Sequence, residues 1–129
     1  MSDTSDTTAL GTVTPYFTVP DAEVFIHFAQ STFDAEIIKE DRYDNGVIQH
    51  ARLRIGPSVL MLNQATDTYP ANASQMHIQV ADVAATYARA LKLGATSIME
   101  PNLRPHGDHM AGIVDPSGNT WWIASAAPS

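Results

Sequence analysis

A chain of 129 residues with 44% apolar side chains is sized for one domain with a buried core. Seven basic against fourteen acidic residues leave a net charge of −7, which opposes a phosphate backbone or an anionic bilayer, so neither nucleic acid nor a membrane is an expected partner. With no cysteine, disulfides, thiolate nucleophiles and sulfur-rich zinc sites drop out, and a cytoplasmic location fits.

Residues 1–11 are rich in Ser, Thr and Asp and read as a flexible tail ahead of a domain over residues 12–125, and no apolar run approaches membrane-spanning length. Thr12 to Val19 alternates as a half-buried strand does. Asp21 then caps a helix expected to reach about Phe33, with Ala22, Phe25, Ile26 and Ala29 on its core side. Ala35 to Arg42 reads as a strand, Asp44, Asn45 and Gly46 as a turn, and Val47 to Ile55 as a strand. Gly56 and Pro57 make a tight turn before a further strand, Ser58 to Asn63. That turn sets Leu53 opposite Leu60 and Ala51 opposite Leu62 on the face a helix covers. The other face then presents His50, Arg52, Arg54, Val59, Met61 and Asn63, joined by Thr14, Tyr16 and Thr18. Residues 12–63 form one module, and 64–74 a linker.

The second half repeats the first at a constant offset of 61 residues. Phe17 to Ala22 fall on Ile78 to Val83, Ile37 and Ile38 on Ile98 and Met99, Asn45 and Gly46 on His106 and Gly107, and Val59 to Leu62 on Thr120 to Ile123. Asp82 caps the second helix, Val83, Tyr87, Ala90 and Leu91 form its stripe, and Gly94 ends it. Its open face presents Gln75, His77 and Gln79 with Trp122 and Ala124, while Trp121 turns toward the helix. The second module covers 75–125, and 126–129 is a tail. A repeat this long is no solenoid unit and too short for an independent domain, so two βαβββ modules share one core. The expected fold class is α+β, with a curved mixed sheet around a cup-shaped cavity that holds any site.

These modules resemble the vicinal oxygen chelate superfamily, which includes glyoxalase I, bleomycin-binding proteins and extradiol dioxygenases. The resemblance runs from Thr12 to Ser125 and is carried by Thr14-Pro15-Tyr16-Phe17-Thr18-Val19, by His50 to Gly56 with Ser58 to Leu62, by Gly107 to Gly112, and by Asp115 to Trp122. It is nearest to the PhnB-like and glyoxalase-like branch. It implies a small-molecule ligand in the cup, a homodimer, and modules paired within one chain or across a domain-swapped dimer. It also implies a divalent metal held by His, Gln or Glu from the first and last strands of both modules. Those positions here are Thr14, Met61, Gln75 and Trp122, and only Gln75 is a side chain the family uses. No metal is therefore expected at the usual site. A divalent ion on an unusual set such as His50, Gln75 and His77 stays open.

Among the candidates, His50 and His77 face the cup as general bases or as structural hydrogen-bonders. Trp122, with Met61 and Tyr16, offers a stacking platform for a flat ligand, or else simply fills the cup. Arg52 and Arg54 can hold a carboxylate or phosphate, or else stand exposed at the sheet rim, and Arg52, opposite Met61, is the better placed of the two. His106-Gly107-Asp108-His109 gathers three ligating side chains without an established metal spacing and reads as a turn. Three function classes follow. One is a metal-independent binding protein of the glyoxalase/bleomycin-resistance type, taking a small, partly aromatic or carbonyl-bearing ligand. Another is a glyoxalase-like lyase or isomerase using His50 or His77 as base, with or without a divalent metal on non-standard ligands. The third is a structural or regulatory module whose cup is filled by its own side chains.

Overall fold

The structure is a computed structural model and describes residues 10–103, 105 and 108–126. The chain divides between Asn72 and Ala73 into two compact units. The first contains β1 (Tyr16–Val19), α1 (Ala22–Phe33), β2 (Glu36–Arg42), β3 (Ile48–Ile55) and β4 (Ser58–Gln64). Its four strands lie in the order β1-β4-β3-β2, with β1 parallel to β4 and the other pairs antiparallel. The second contains β5 (Gln75–Gln79), α2 (Val83–Lys92), β6 (Thr96–Leu103), β7 (His109–Val114) and β8 (Thr120–Ser125), in the order β5-β8-β7-β6 with the same parallel and antiparallel pattern. Each unit is one βαβββ module. Among the described residues no helix is long and apolar enough to cross a membrane.

Both helices start as their caps dictate. Asp21 accepts a hydrogen bond from the Val24 amide at 3.2 Å, and Asp82 accepts one from the Ala85 amide at 3.0 Å, each satisfying a donor that the first turn leaves orphaned. α1 buries Phe25, Ile26, Phe28, Ala29 and Phe33, and Phe25 meets Phe17 of β1 at a ring separation of 5.0 Å. α2 buries Val83, Thr86 and Ala90, which corrects the expected stripe: Leu91 is 37% exposed. Thr86 tolerates burial because its hydroxyl donates to the Asp82 carbonyl at 2.9 Å.

The Gly56-Pro57 turn sets the register read from it. Leu53 faces Leu60 and Ala51 faces Leu62, and Leu53, Ala51 and Leu62 are sealed beneath α1. β1, by contrast, begins at Tyr16 rather than Thr12. Pro15 has no N–H with which to extend the ladder, although its carbonyl accepts from the Met61 amide at 2.9 Å. Thr14 therefore lies outside the strand.

The repeat is not constant either. Tyr16 pairs with Met61 and His77 with Trp122, so the parallel strand pairs keep the offset of 61. α2, at 10 residues, is two shorter than α1 at 12, and the left-handed residues that follow the helices, Asp34 and Gly94, are 60 apart. Ile37 pairs with Leu53 and Ser97 with Ile113, so Ile37 matches Ser97 and not Ile98. The offset is restored in the last hairpin, where one more residue separates the paired Val114 and Thr120 than separates Arg54 and Val59.

Asp115 holds that longer turn. Its Oδ1 accepts from the Ser117 and Asn119 amides at 2.8 and 2.9 Å, and its Oδ2 accepts from Trp121 Nε1 at 2.8 Å. Burial pushes the Asp115 carboxyl up, and these donors pull it back. Trp121, 3% exposed, packs with Ile113 and Ile123 in the core of its unit, on the helix side as its parity required.

Candidate functional site

In the first unit, the sheet face away from α1 is built of rows that strand pairing sets side by side. One row runs Tyr16, Met61, Arg52, Lys39, and the next runs Thr18, Asn63, His50, Asp41. Alternation puts these residues opposite the buried Ala51, Leu53 and Leu62. A groove of about 280 Å³ opens at one side of the face, lined by Tyr16, Thr18, Asn63 and Tyr69. Its polar floor is ordered: the Thr18 hydroxyl donates to Asn63 Oδ1 at 2.7 Å, and Asn63 Nδ2 donates to the Gln64 carbonyl at 3.3 Å.

Tyr69 reaches the groove because the linker doubles back along β1. The Ala65 amide donates to the Val19 carbonyl at 2.7 Å and the Asn72 amide to the Thr18 carbonyl at 3.1 Å, while Tyr69 and Thr66 close a turn between them. Sequence reasoning passed over Tyr69 as linker. The signal was a lone aromatic in a polar stretch.

His50 stands beside Tyr16, with ring centroids 5.8 Å apart. Burial lowers its pKa below the ordinary imidazole value; Asp41, whose Oδ2 is 3.9 Å from Nδ1, works against that, and Arg52 and Lys39 reinforce it. The ring is neutral at pH 7 and can accept a proton. Arg52 is partly covered, and its Nε–H is buried without an acceptor. A buried donor left unpaired costs roughly 1–3 kcal/mol, and more when charged.

In the second unit, the corresponding row runs His77, Trp122, Gly112, Met99. The indole of Trp122 lies against Gly112 so closely that a Cβ there would stand 2.5 Å from Cζ3 and 2.9 Å from Cε3. Trp122 Nε1 donates to Gln75 Oε1 at 2.7 Å. The ring is thus fixed at its back and at its nitrogen, leaving an aromatic surface in one orientation. His77 is exposed beside it on β5. Gly112 was not singled out in the sequence, because its partner on β8 is set only by strand pairing.

The sequence-derived candidates therefore fall into two groups. Tyr16, His50, Arg52 and Met61 share the face of the first unit, and Gln75, His77 and Trp122 share that of the second. His109 opens β7 and is exposed, and Asp108 precedes it. His106 lies outside the described residues. Of the four positions the family uses for metal, Thr14 is off the strand, Met61 offers a soft thioether, Trp122 has no lone pair to give, and Gln75 already accepts from Trp122. This donor set does not fit a divalent ion. Among the described residues no three His, Asp or Glu side chains cluster as a metal site requires.

Comparison with known proteins agrees with this architecture. Residues 9–123 match the family model of the Glyoxalase/Bleomycin resistance protein/Dioxygenase superfamily. An uncharacterized protein of Mycobacterium bovis is 30% identical over 120 residues, which cover 84% of this chain and 79% of the relative. TioX from Micromonospora sp. ML1 superposes with a TM-score of 0.73 at 18% identity, covering 92% of this chain and 98% of TioX. A PhnB protein from Bacillus cereus gives a TM-score of 0.71 at 18% identity, covering 90% of this chain and all of that one (100%). At these identities the structural likeness speaks to fold. With the tandem modules and the match along nearly the whole sequence, the chain belongs to the Glyoxalase/Bleomycin resistance protein/Dioxygenase superfamily.

Proposed function

We propose that the protein binds a small, partly aromatic or carbonyl-bearing molecule without a metal ion, in the manner of the bleomycin-resistance branch of its superfamily. The observation that supports this most is the hydrogen bond from Trp122 to Gln75. Gln75 is the one ligand-type side chain in the family's metal set, and its carbonyl oxygen is engaged by an indole N–H. Dehydrating a divalent ion needs anionic or imidazole donors to offset the loss of its water, and the set offers none. What Trp122 offers instead is a held aromatic face, which gives contact area with little entropy loss on binding.

Metal analysis of protein purified without a histidine tag, together with fluorescence titration against a library of aromatic compounds, tests the reading. Substoichiometric nickel, zinc, manganese and iron, with saturable quenching, is the expected result. Stoichiometric metal lost on substituting Gln75 overturns it.

One observation favours a second reading. A neutral His50 beside Tyr16 is suited to removing a proton next to a carbonyl, as a metal-independent isomerase or lyase would. Solvent deuterium entering a bound carbonyl compound, abolished by His50→Gln, would establish it; no exchange in any bound compound would dismiss it.

A further inference from the structure

The open face of the first unit carries cations that its own acidic residues leave unneutralised. Arg42 pairs with Glu23 and Glu40, and Arg54 lies 3.8 Å from Glu36. Arg52 and Lys39 face each other across β3 and β2, and neither has an ion-pair partner among the described residues. In a chain of net charge −7, two neighbouring unpaired cations run against the composition. Arg52 adds a buried Nε–H without an acceptor, while each of the backbone turns around the groove is closed by its own bonds. The guanidinium carries the planar donor fork that matches a carboxylate or a phosphate.

The surroundings suit such a group. Along the row, Met61 separates Arg52 from Tyr16, so with strands about 4.8 Å apart the cation and the aromatic ring stand on strands about 10 Å apart, with an apolar floor between them. Tyr16 lines the groove, and His50 flanks it. Asp41 is the carboxylate of the neighbouring row, two residues along β2 from Lys39 on the same face. Its Oδ2 is turned to within 3.9 Å of His50 Nδ1 and forms no ion pair with Lys39 or Arg52.

We propose that this face binds the carboxylate or phosphate of a small aromatic ligand, with Arg52 and Lys39 as its counter-charge and Tyr16 against its ring. The proposal rests on the reading of the protein as a small-molecule binder and names the class of ligand. Calorimetric titration with 2-naphthoate, naphthyl phosphate and neutral 2-naphthamide tests it, on the wild-type chain and on Arg52→Gln, Arg52→Met and Arg54→Gln. Arg52→Met keeps the apolar stem, so that packing survives if Arg52→Gln folds poorly.

The acid or the phosphate is expected to bind more tightly than the amide, and to weaken as salt rises. Either Arg52 variant should lower the anion's affinity at least about tenfold and leave the amide within about twofold, because it removes a desolvated charge partner and little contact area. Arg54→Gln should change none of the three. Whichever anion binds more tightly identifies the group. Unchanged anion affinity in a folded Arg52 variant, or an equal loss for the amide, overturns the proposal. Amide binding without anion preference overturns it while sparing the binder reading, and no binding of any probe to wild type removes both.

Discussion

The two units share one topology and present opposite chemistry. Where the first sets Tyr16, Met61, Arg52 and Lys39 across its open face, the second sets His77, Trp122, Gly112 and Met99. One row carries two cations; the other is built on an indole laid over a glycine. The backbone pattern of a repeat is held by caps, turns and the buried face, which both copies must keep. The open face has no such duty and is free to diverge into charge on one side and flat apolar surface on the other.

The largest effect that separates the faces of one strand is expected at Trp121. Trp121→Ala removes a buried aromatic and leaves the Asp115 carboxylate without its indole donor, and should lower stability by roughly 3–5 kcal/mol, read by urea unfolding. If the change is no larger than at Trp122, the assignment of the two rings to opposite faces fails. Next comes Gly112→Ala. The new Cβ would meet the ring of Trp122, whose nitrogen is held by Gln75, so a loss of about 1–3 kcal/mol from overpacking is expected. The double variant Gly112→Ala/Trp122→Met, which makes the second row resemble the first, should recover most of that loss. Failure to recover would mean that the clash is not with the indole.

Trp122→Ala alone should be milder for stability and fall instead on binding, by about 1–3 kcal/mol for a ligand that stacks on it. Persistent quenching by that ligand in Trp122→Phe would move the stacking surface elsewhere. The smallest effect is a pH dependence confined to the first unit. The folded pKa of His50 is below its unfolded value, so the unfolded chain takes up the proton first. Stability contributed by the neutral ring is complete above about pH 6.5, and is lost as pH falls from there through the folded pKa. The stability read from urea unfolding should therefore fall less between about pH 7 and pH 5 in His50→Gln than in wild type. Equal losses would show that Asp41 offsets the burial.

Much of the fold was legible because its determinants are local. Asp21 and Asp82 satisfy amides three residues away, Gly56 adopts a φ of 55° that the tight hairpin needs, and parity alone sends Trp121 and Trp122 to opposite faces. The sequence by itself thus determined the βαβββ order, the pairing of Leu53 with Leu60, and the residues available to each open face. Only the tertiary structure decided which of those residues meet. The shorter α2 slips the repeat by one residue before β6 begins, and the bulges at Ile37/Lys39 and Ser97/Met99 keep that offset, so Arg52 answers to Gly112. The return of the linker along β1 brings Tyr69 to the groove, and the missing acceptor at Arg52 Nε emerges only once every neighbour is in place. These contacts join residues far apart in the chain, and their geometry is set by the sum of helix length, bulge and turn between them, which no local pattern records.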